Sequence, residues 1–135
     1  MHNCLFFNKI KQKEAGGEAV LTQNGRTLKE MQQAVDEYIS QFKAGYFPPL
    51  SQLARLTEEV GELAREINHN YGDKQKKHDE LPGSVQEELG DVMIVLMIMA
   101  NSLDIDLTET FEQNMAKFNQ RDHYRFERKD GKTHD

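Results

Sequence analysis

The sequence predicts an all-α fold, a four-helix bundle-like protomer, and three observations lead to that prediction. Helix-favouring residues such as Glu, Leu, Lys, Gln and Met are abundant, whereas the 135 residues include only three prolines and no tryptophan. Several segments begin with a Ser, Thr or Asp three residues before a Glu, a spacing typical of helix N-termini. No segment of the sequence has a convincing strand pattern.

The four helices are predicted from these start signals and from the loops between them. Three residue pairs are candidates for capping boxes: Thr27 with Glu30, Ser84 with Glu87, and Asp106 with Glu109. They predict helices over 27–42, 84–103 and 107–126. Pro49 suits the first turn of a further helix, over 49–70, because a first-turn residue has no N–H partner to lose. The charged segment 73–83, which contains Pro82-Gly83, is predicted to be a loop.

The predicted domain covers residues 27–126. Residues 1–26 lack sustained periodicity, so we expect a flexible N-terminal extension there, and a flexible C-terminal tail over 127–135. Cys4 is the single cysteine, which excludes an intramolecular disulfide and fits a reducing compartment, so we expect a cytoplasmic protein. The longest apolar run, 92–100, has about half the length that a membrane span requires.

The charge balance also excludes a class of partner. The chain has 17 basic and 23 acidic residues, a formal net charge of −6. Nonspecific binding to nucleic-acid polymers needs a basic surface, so we do not expect that function. Most of the surplus lies in residues 27–113, which carry 17 acidic and seven basic side chains.

The second predicted helix is amphipathic. Five apolar residues form a stripe that we expect to pack: Leu53, Leu56, Val60, Leu63 and Ile67. Glu59, Glu62 and Glu66 share another side, which by itself is typical of a solvated helix face.

The third predicted helix changes this interpretation. Glu88 and Asp91 lie on a face that continues as Val95 and Ile98, and a solvated face would not continue with apolar residues. We therefore expect this face to turn inward, within the protomer or against another chain, and its carboxylates to be at least partly buried. Several buried carboxylates need a compensating cation, and ligands that are all oxygen favour Mg²⁺ or Mn²⁺ over zinc or copper.

The fourth predicted helix offers groups that suit a polyphosphate. Its apolar stripe consists of Leu107, Phe111, Met115 and Phe118. Asn114, Lys117 and Arg121 flank that stripe on one side, and Lys and Arg side chains commonly bind phosphate groups. Mg²⁺ often binds through a few carboxylates together with substrate phosphates, so the two predictions agree.

These residues carry a resemblance to a known family. The string Glu58-Glu59-Val60-Gly61-Glu62 and the later Glu88-Leu89-Gly90-Asp91 resemble the EExxE and ExxD motifs of the MazG-like nucleoside triphosphate pyrophosphohydrolases. The segment with Asn114, Lys117, Phe118 and Arg121 is similar to the phosphate-contacting segment of that superfamily. The likeness covers about 27–126 and is to the short, single-domain type.

The resemblance implies a hydrolase that cleaves a nucleoside triphosphate between the α and β phosphates and releases a monophosphate and pyrophosphate. It implies Mg²⁺, for which Mn²⁺ can substitute, held by four residues that also serve catalysis: Glu59, Glu62, Glu88 and Asp91. Lys117 and Arg121 would contact phosphates, with Asn114 beside them. Glu58 matches the motif but lies nearer Gly61, so we do not expect it to be a ligand.

The resemblance also implies assembly as a homodimer or homotetramer with shared sites. The segment 92–99 is apolar all round, which independently favours self-association, although burial within one protomer is the alternative. Without a tryptophan, stacking on a base would fall to one of four aromatic residues: Phe42, Tyr46, Phe47 or Tyr71. The identity of the base stays open. Three physiological roles also stay open: removal of noncanonical nucleotides, control of an ordinary nucleotide pool, and the phosphoribosyl-ATP step of histidine synthesis.

Two other classes of protein fit parts of the sequence. The Glu66-x-x-His69 spacing is typical of carboxylate-bridged di-iron bundles, but no second Glu-x-x-His is present. His69 would otherwise cap the end of the second helix or lie in solvent. The remaining alternative is a non-catalytic helical interaction protein whose acidic face only confers solubility.

Overall fold

The computed structural model describes residues 25–73 and 83–132, and these residues form four α-helices without a β-strand. The helices are α1 (Leu28–Ile39), α2 (Pro49–Tyr71), α3 (Val85–Ser102) and α4 (Leu107–Arg121). The largest contact is between α2 and α3, α1 packs on α3, and α4 packs on α1. The all-α prediction is confirmed. Most of the predicted extension 1–26 and of the loop 73–83, and the end of the tail 127–135, lie outside the described residues.

The predicted helix starts are confirmed, three of them by side-chain hydrogen bonds at the N-cap. Thr27 forms a complete capping box, because the Glu30 N–H donates to Thr27 Oγ1 (3.2 Å) and the Thr27 N–H donates to Glu30 Oε2 (2.7 Å). Ser84 accepts from the Glu87 N–H, and Asp106 accepts from the Thr108 and Glu109 N–H groups. Pro49 is the first residue of α2, where its missing N–H costs no hydrogen bond.

Two helices end earlier than predicted. Side-chain hydrogen bonds form just after the last residue of each. The α1 helix ends at Ile39, where the Ser40 hydroxyl and the Gln41 amide both donate to the Glu37 carbonyl. The α4 helix ends at Arg121, and the following Asp122 accepts hydrogen bonds from Arg121 and Arg125.

The apolar core lies between α1 and α3. Val35, Ile39 and Met97 form its buried centre, and partly buried side chains of α1, α3 and the start of α4 surround them. This core holds α3 in place, and α3 carries two of the predicted site residues.

A polar clamp joins α1 to the turn between α3 and α4. The Gln32 amide donates to Asn101 Oδ1 and to the Ile105 carbonyl, both at 2.9 Å, and accepts from the Leu107 N–H at 2.9 Å. Asn101 Nδ2 donates to the Gln32 carbonyl at 2.8 Å. The turn itself contains Asp104 with a φ of 54°, a left-handed conformation that asparagine and aspartate tolerate better than most residues. Gln32 thus anchors the start of α4.

The packing of α2 within the single chain differs from the predicted one. Glu59 and Glu66 are each only 3% exposed, whereas Leu53, Val60 and Ile67 of the predicted packing stripe are 51%, 47% and 43% exposed. The prediction that this stripe packs is wrong for these three residues in the protomer, whereas Leu56 and Leu63 are partly buried, and Glu62 on the acidic side is exposed. The sequence could not reveal this, because the periodicity marks an apolar face and an acidic face without saying which one meets α3.

The face of α3 predicted to turn inward does so. Val95 is buried and Glu88, Asp91 and Ile98 are partly buried. The opposite side of α3 leaves Met93 and Leu96 exposed. Among the helices of the described ranges, none combines the length and hydropathy needed to cross a bilayer.

Candidate metal and catalytic site

Three carboxylates meet where α2 packs on α3. Glu59 of α2 and Glu88 and Asp91 of α3 each offer one oxygen atom, and these three atoms lie within 4.8 Å of one another. Glu59 is buried and the other two are partly buried. Residues three apart on a helix share a face, so the ExxD spacing places Glu88 and Asp91 side by side. We call these three residues the carboxylate cluster.

Glu62 lies close to the carboxylate cluster without being one of its three members. Its negative charge is among the causes that raise the pKa of Glu59 and of Glu88. Of the four predicted metal ligands, three are therefore together and the fourth is near enough to act on two of them electrostatically.

Glu66 is buried outside the carboxylate cluster, beside Gly83. Its carboxyl oxygen Oε1 lies 3.0 Å from the position that a Cβ on Gly83 would take, so this side chain fills the space beside the start of α3. A larger residue at position 83 would require the Glu66 carboxyl group to shift. The burial of Glu66 was not predicted from the sequence.

Electrostatics make the carboxylate cluster unfavourable in the absence of a cation. Burial is the main cause that raises the pKa values of Glu59, Glu88 and Asp91. Neighbouring carboxylates raise the pKa of Glu59 and Glu88 further. Arg55 opposes the shift at Glu59 and Asp91, and Arg65 opposes it at Glu88.

Arg55 is a site residue that was not singled out from the sequence. Its Nε and Nη2 atoms lie 2.7 Å and 2.6 Å from Glu59 Oε1. The signal that could have revealed it is the spacing, because residues four apart on a helix are neighbours and Arg55 precedes Glu59 by four.

The residues of the carboxylate cluster fit a hard divalent cation. Glu88 Oε2 is buried and has no hydrogen-bond partner in the part of the chain that the structure describes. A buried carboxylate oxygen without a partner is costly, and a bound cation would compensate it. The cluster offers only oxygen ligands, the type that Mg²⁺ and Mn²⁺ prefer.

A pH dependence of stability follows from the raised pKa values. Glu and Asp ordinarily titrate near 4.5 and 3.8, and above these values ionisation of the three carboxyls disfavours the folded chain. In a metal-free sample, the free energy of unfolding of the wild type should therefore fall relative to that of the E59Q/E88Q/D91N variant as the pH rises from about 4 to about 8. Urea unfolding of both proteins across this range in the presence of a chelator measures the difference. A difference that is constant with pH would contradict the assigned shifts.

The predicted phosphate-binding residues lie on α4, outside the α2–α3 interface that forms the carboxylate cluster. Asn114, Lys117 and Arg121 are exposed on α4, which packs on α1. Asn114 Nδ2 donates to the Thr110 carbonyl at 2.9 Å, and Arg121 pairs with Asp122 at 2.8 Å. Their contact with a substrate stays a prediction.

A cavity of about 810 Å³ lies between α1, α2 and α3. It is lined mainly by apolar side chains and includes three of the four aromatic candidates, Phe42, Tyr46 and Phe47. The Tyr46 hydroxyl donates to Asp36 at 2.6 Å, and burial together with this bond raises the pKa of Tyr46 to about 12. The fourth candidate, Tyr71, is 81% exposed at the end of α2.

His69 neither lies in solvent nor joins the carboxylate cluster. Its side chain is buried beside Glu66, with 3.7 Å between Nδ1 and Glu66 Oε1. The cluster that the described residues form contains no histidine, so its ligand set differs from that of a di-iron bundle.

Comparison with known proteins places this chain in a family. Residues 47–126 match the MazG nucleotide pyrophosphohydrolase domain. The uncharacterized protein YpjD of Bacillus subtilis (strain 168) is 57% identical over 105 residues, which are 78% of this chain and 95% of YpjD.

Two crystal structures are similar to this chain. The structure of YPJD from Bacillus subtilis has a TM-score of 0.66 and 57% identity and covers 72% of this chain and 99% of that one. The structure of the Bacillus-conserved MazG protein, a nucleotide pyrophosphohydrolase, has a TM-score of 0.64 and 54% identity and covers 74% and 97%. Because the domain match spans more than half of the chain and includes both acidic segments, this chain belongs to the MazG family of nucleotide pyrophosphohydrolases.

Proposed function

We propose that this chain is an Mg²⁺-dependent nucleoside triphosphate pyrophosphohydrolase that cleaves between the α and β phosphates and releases a nucleoside monophosphate and pyrophosphate. The observation that carries the proposal is the convergence of Glu59, Glu88 and Asp91 within 4.8 Å in a chain of this family. Glu62, one turn from Glu59, is proposed as the fourth ligand. Mn²⁺ has the same ligand preferences and should substitute for Mg²⁺.

The chemistry needs a cation and a base at the same place. When bound, Mg²⁺ neutralises charge on phosphate oxygens and lowers the pKa of a water molecule. Glu59, Glu88 and Asp91 would hold the cation between two helices, and a carboxylate of this group would accept the proton of the attacking water.

We assign the nucleoside part of the substrate to the cavity between α1, α2 and α3. Arg55 and Glu58, neighbours of Glu59 on α2, are part of its lining, so the cavity adjoins the carboxylate cluster. Phe42, Tyr46 and Phe47 supply aromatic surface for a base. Lys117 and Arg121 would bind phosphate oxygens, with Asn114 beside them.

A panel of ordinary and modified nucleoside triphosphates, assayed for pyrophosphate release with and without Mg²⁺, tests this proposal. We expect at least one triphosphate to be hydrolysed only when Mg²⁺ or Mn²⁺ is present, with pyrophosphate and not inorganic phosphate as the product. Inertness across the whole panel, or release of the γ phosphate alone, would contradict the assignment.

We further propose that the chain forms a homodimer or homotetramer. Apolar side chains are exposed on three helices: Leu53, Val60 and Ile67 on α2, Met93 and Leu96 on α3, and Phe111, Met115 and Phe118 on α4. Large contiguous apolar patches are rare on single chains, and a second copy is the simplest cover for these side chains. Association would also bring α4 of one copy near a site on another, where Lys117 and Arg121 could reach phosphates.

Replacing Val60 by glutamate tests the assembly. A charge in the centre of the exposed α2 stripe would have to be buried without a partner, so we expect the oligomer to dissociate. Light scattering coupled to size-exclusion chromatography measures the molar mass. The matched control is Gln86→Glu, which adds the same charge at an exposed polar position of α3 and should leave the mass unchanged. A V60E protein with the wild-type mass would refute a role for this stripe.

A further inference from the structure

Arg55 is held against the carboxylate cluster by a short, charge-assisted contact. Two guanidinium nitrogens lie 2.7 Å and 2.6 Å from one oxygen of Glu59, and the Glu59 side chain is only 4% exposed. Hydrogen bonds between ionised groups are about twice as strong as neutral ones. Arg55 therefore supplies the positive charge nearest to Glu59 on α2.

Arg55 also borders the apolar cavity. It lines that cavity together with Glu58, while its guanidinium contacts Glu59. The side chain is 29% exposed, so solvent and ligands can reach it. Arg55 thus occupies the boundary between the space assigned to the nucleoside and the carboxylates assigned to the cation.

We propose that Arg55 is the resident counter-cation of the carboxylate cluster, that it releases Glu59 when that carboxylate binds a divalent cation, and that the released guanidinium then binds phosphate oxygens of the substrate. The last step rests on the proposed function. The guanidinium and a metal ion would both be held by the negative charge of the Glu59 carboxylate, so the two cations compete for it. A planar guanidinium matches phosphate as well as carboxylate, so Arg55 exchanges one anion for another.

This role predicts that removing Arg55 changes metal affinity and substrate affinity in opposite directions. Removing Arg55 takes away a competitor of the metal, so the metal alone should bind more tightly. Removing Arg55 also takes away a phosphate ligand, so the substrate should bind more weakly. A residue that only supported the fold would weaken both kinds of binding when removed.

The first measurement is Mn²⁺ binding to the metal-stripped full chain by calorimetry, at about pH 8, where carboxylates are ionised. We expect Arg55→Gln to bind Mn²⁺ about tenfold more tightly than the wild type. The matched control is Arg65→Gln, since Arg65 also lies on α2 and its charge also acts on the cluster, at Glu88. The control should stay within about twofold of the wild type. Arg55→Lys keeps the charge but not the planar guanidinium, so its Mn²⁺ affinity should lie between those of the wild type and Arg55→Gln.

The second measurement is steady-state hydrolysis of the best triphosphate from the panel. We expect Arg55→Gln to raise KM about tenfold with a smaller change in kcat. A wild-type Mn²⁺ affinity in Arg55→Gln, an equal gain in Arg65→Gln, or an unchanged KM would each overturn the proposal. Because Mn²⁺ binding needs no turnover, tighter Mn²⁺ binding in a chain that hydrolyses nothing would refute the proposed function and the phosphate step while preserving the competition at Glu59.

Discussion

Replacement of Asp91 by asparagine is expected to lower kcat for pyrophosphate release by about 100-fold or more. The amide keeps the shape of the side chain and removes one of three converging negative charges. The same variant should be at least as stable as the wild type without metal, because burial raises the pKa of Asp91 and its ionisation disfavours the folded state. Activity assays and thermal unfolding with and without Mg²⁺ measure both effects.

Glu87→Gln is the matched control for this variant. Glu87 lies one turn before Asp91 on α3, is exposed, and raises the pKa of Asp91 through its charge without belonging to the carboxylate cluster. Its replacement should preserve kcat and the stabilisation by Mg²⁺, whereas D91N should lose both. Retention of kcat within about threefold in D91N would remove Asp91 from the proposed site.

Gln32→Ala is expected to reduce the free energy of unfolding by about 2–3 kcal/mol. Gln32 is the only described side chain that forms hydrogen bonds with Asn101, Ile105 and Leu107 together. Its loss leaves the Ile105 carbonyl and the Leu107 N–H without this partner. Urea unfolding monitored by circular dichroism measures the change.

The neighbouring Gln33→Ala is the control for that measurement. Gln33 is exposed, and its side chain binds only Glu37 on the same helix, among the contacts of the described residues. Its replacement should cost less than about 0.5 kcal/mol. Equal losses in the two variants would show that the clamp does not anchor α4.

The helix starts could be predicted from the sequence because capping chemistry is local. Thr27, Ser84 and Asp106 each satisfy backbone N–H groups within three residues, so no distant part of the chain can alter the result. The ends of α1 and α4 depend on side-chain bonds that several geometries permit, and their predicted bounds were too long.

The candidate site could be predicted in part. The spacing of Glu88 and Asp91 and the apolar residues that follow indicated an inward face, and the structure confirms it. The choice between the two faces of α2 depends on what α3 presents to it, which periodicity does not contain. For the same reason the burial of Glu66 against Gly83 and the pairing of Arg55 with Glu59 required the folded chain.

The position of the carboxylate cluster links the stability of the folded chain to the ion that its proposed function needs. Glu59 belongs to one helix and Glu88 and Asp91 to the next, so a bound ion would act as a removable crosslink between α2 and α3. A ligand at 100 times its Kd stabilises a folded chain by about 2.7 kcal/mol. Free magnesium would then govern how often α2 and α3 separate, and proteolysis and amide hydrogen exchange at this interface should slow as magnesium rises.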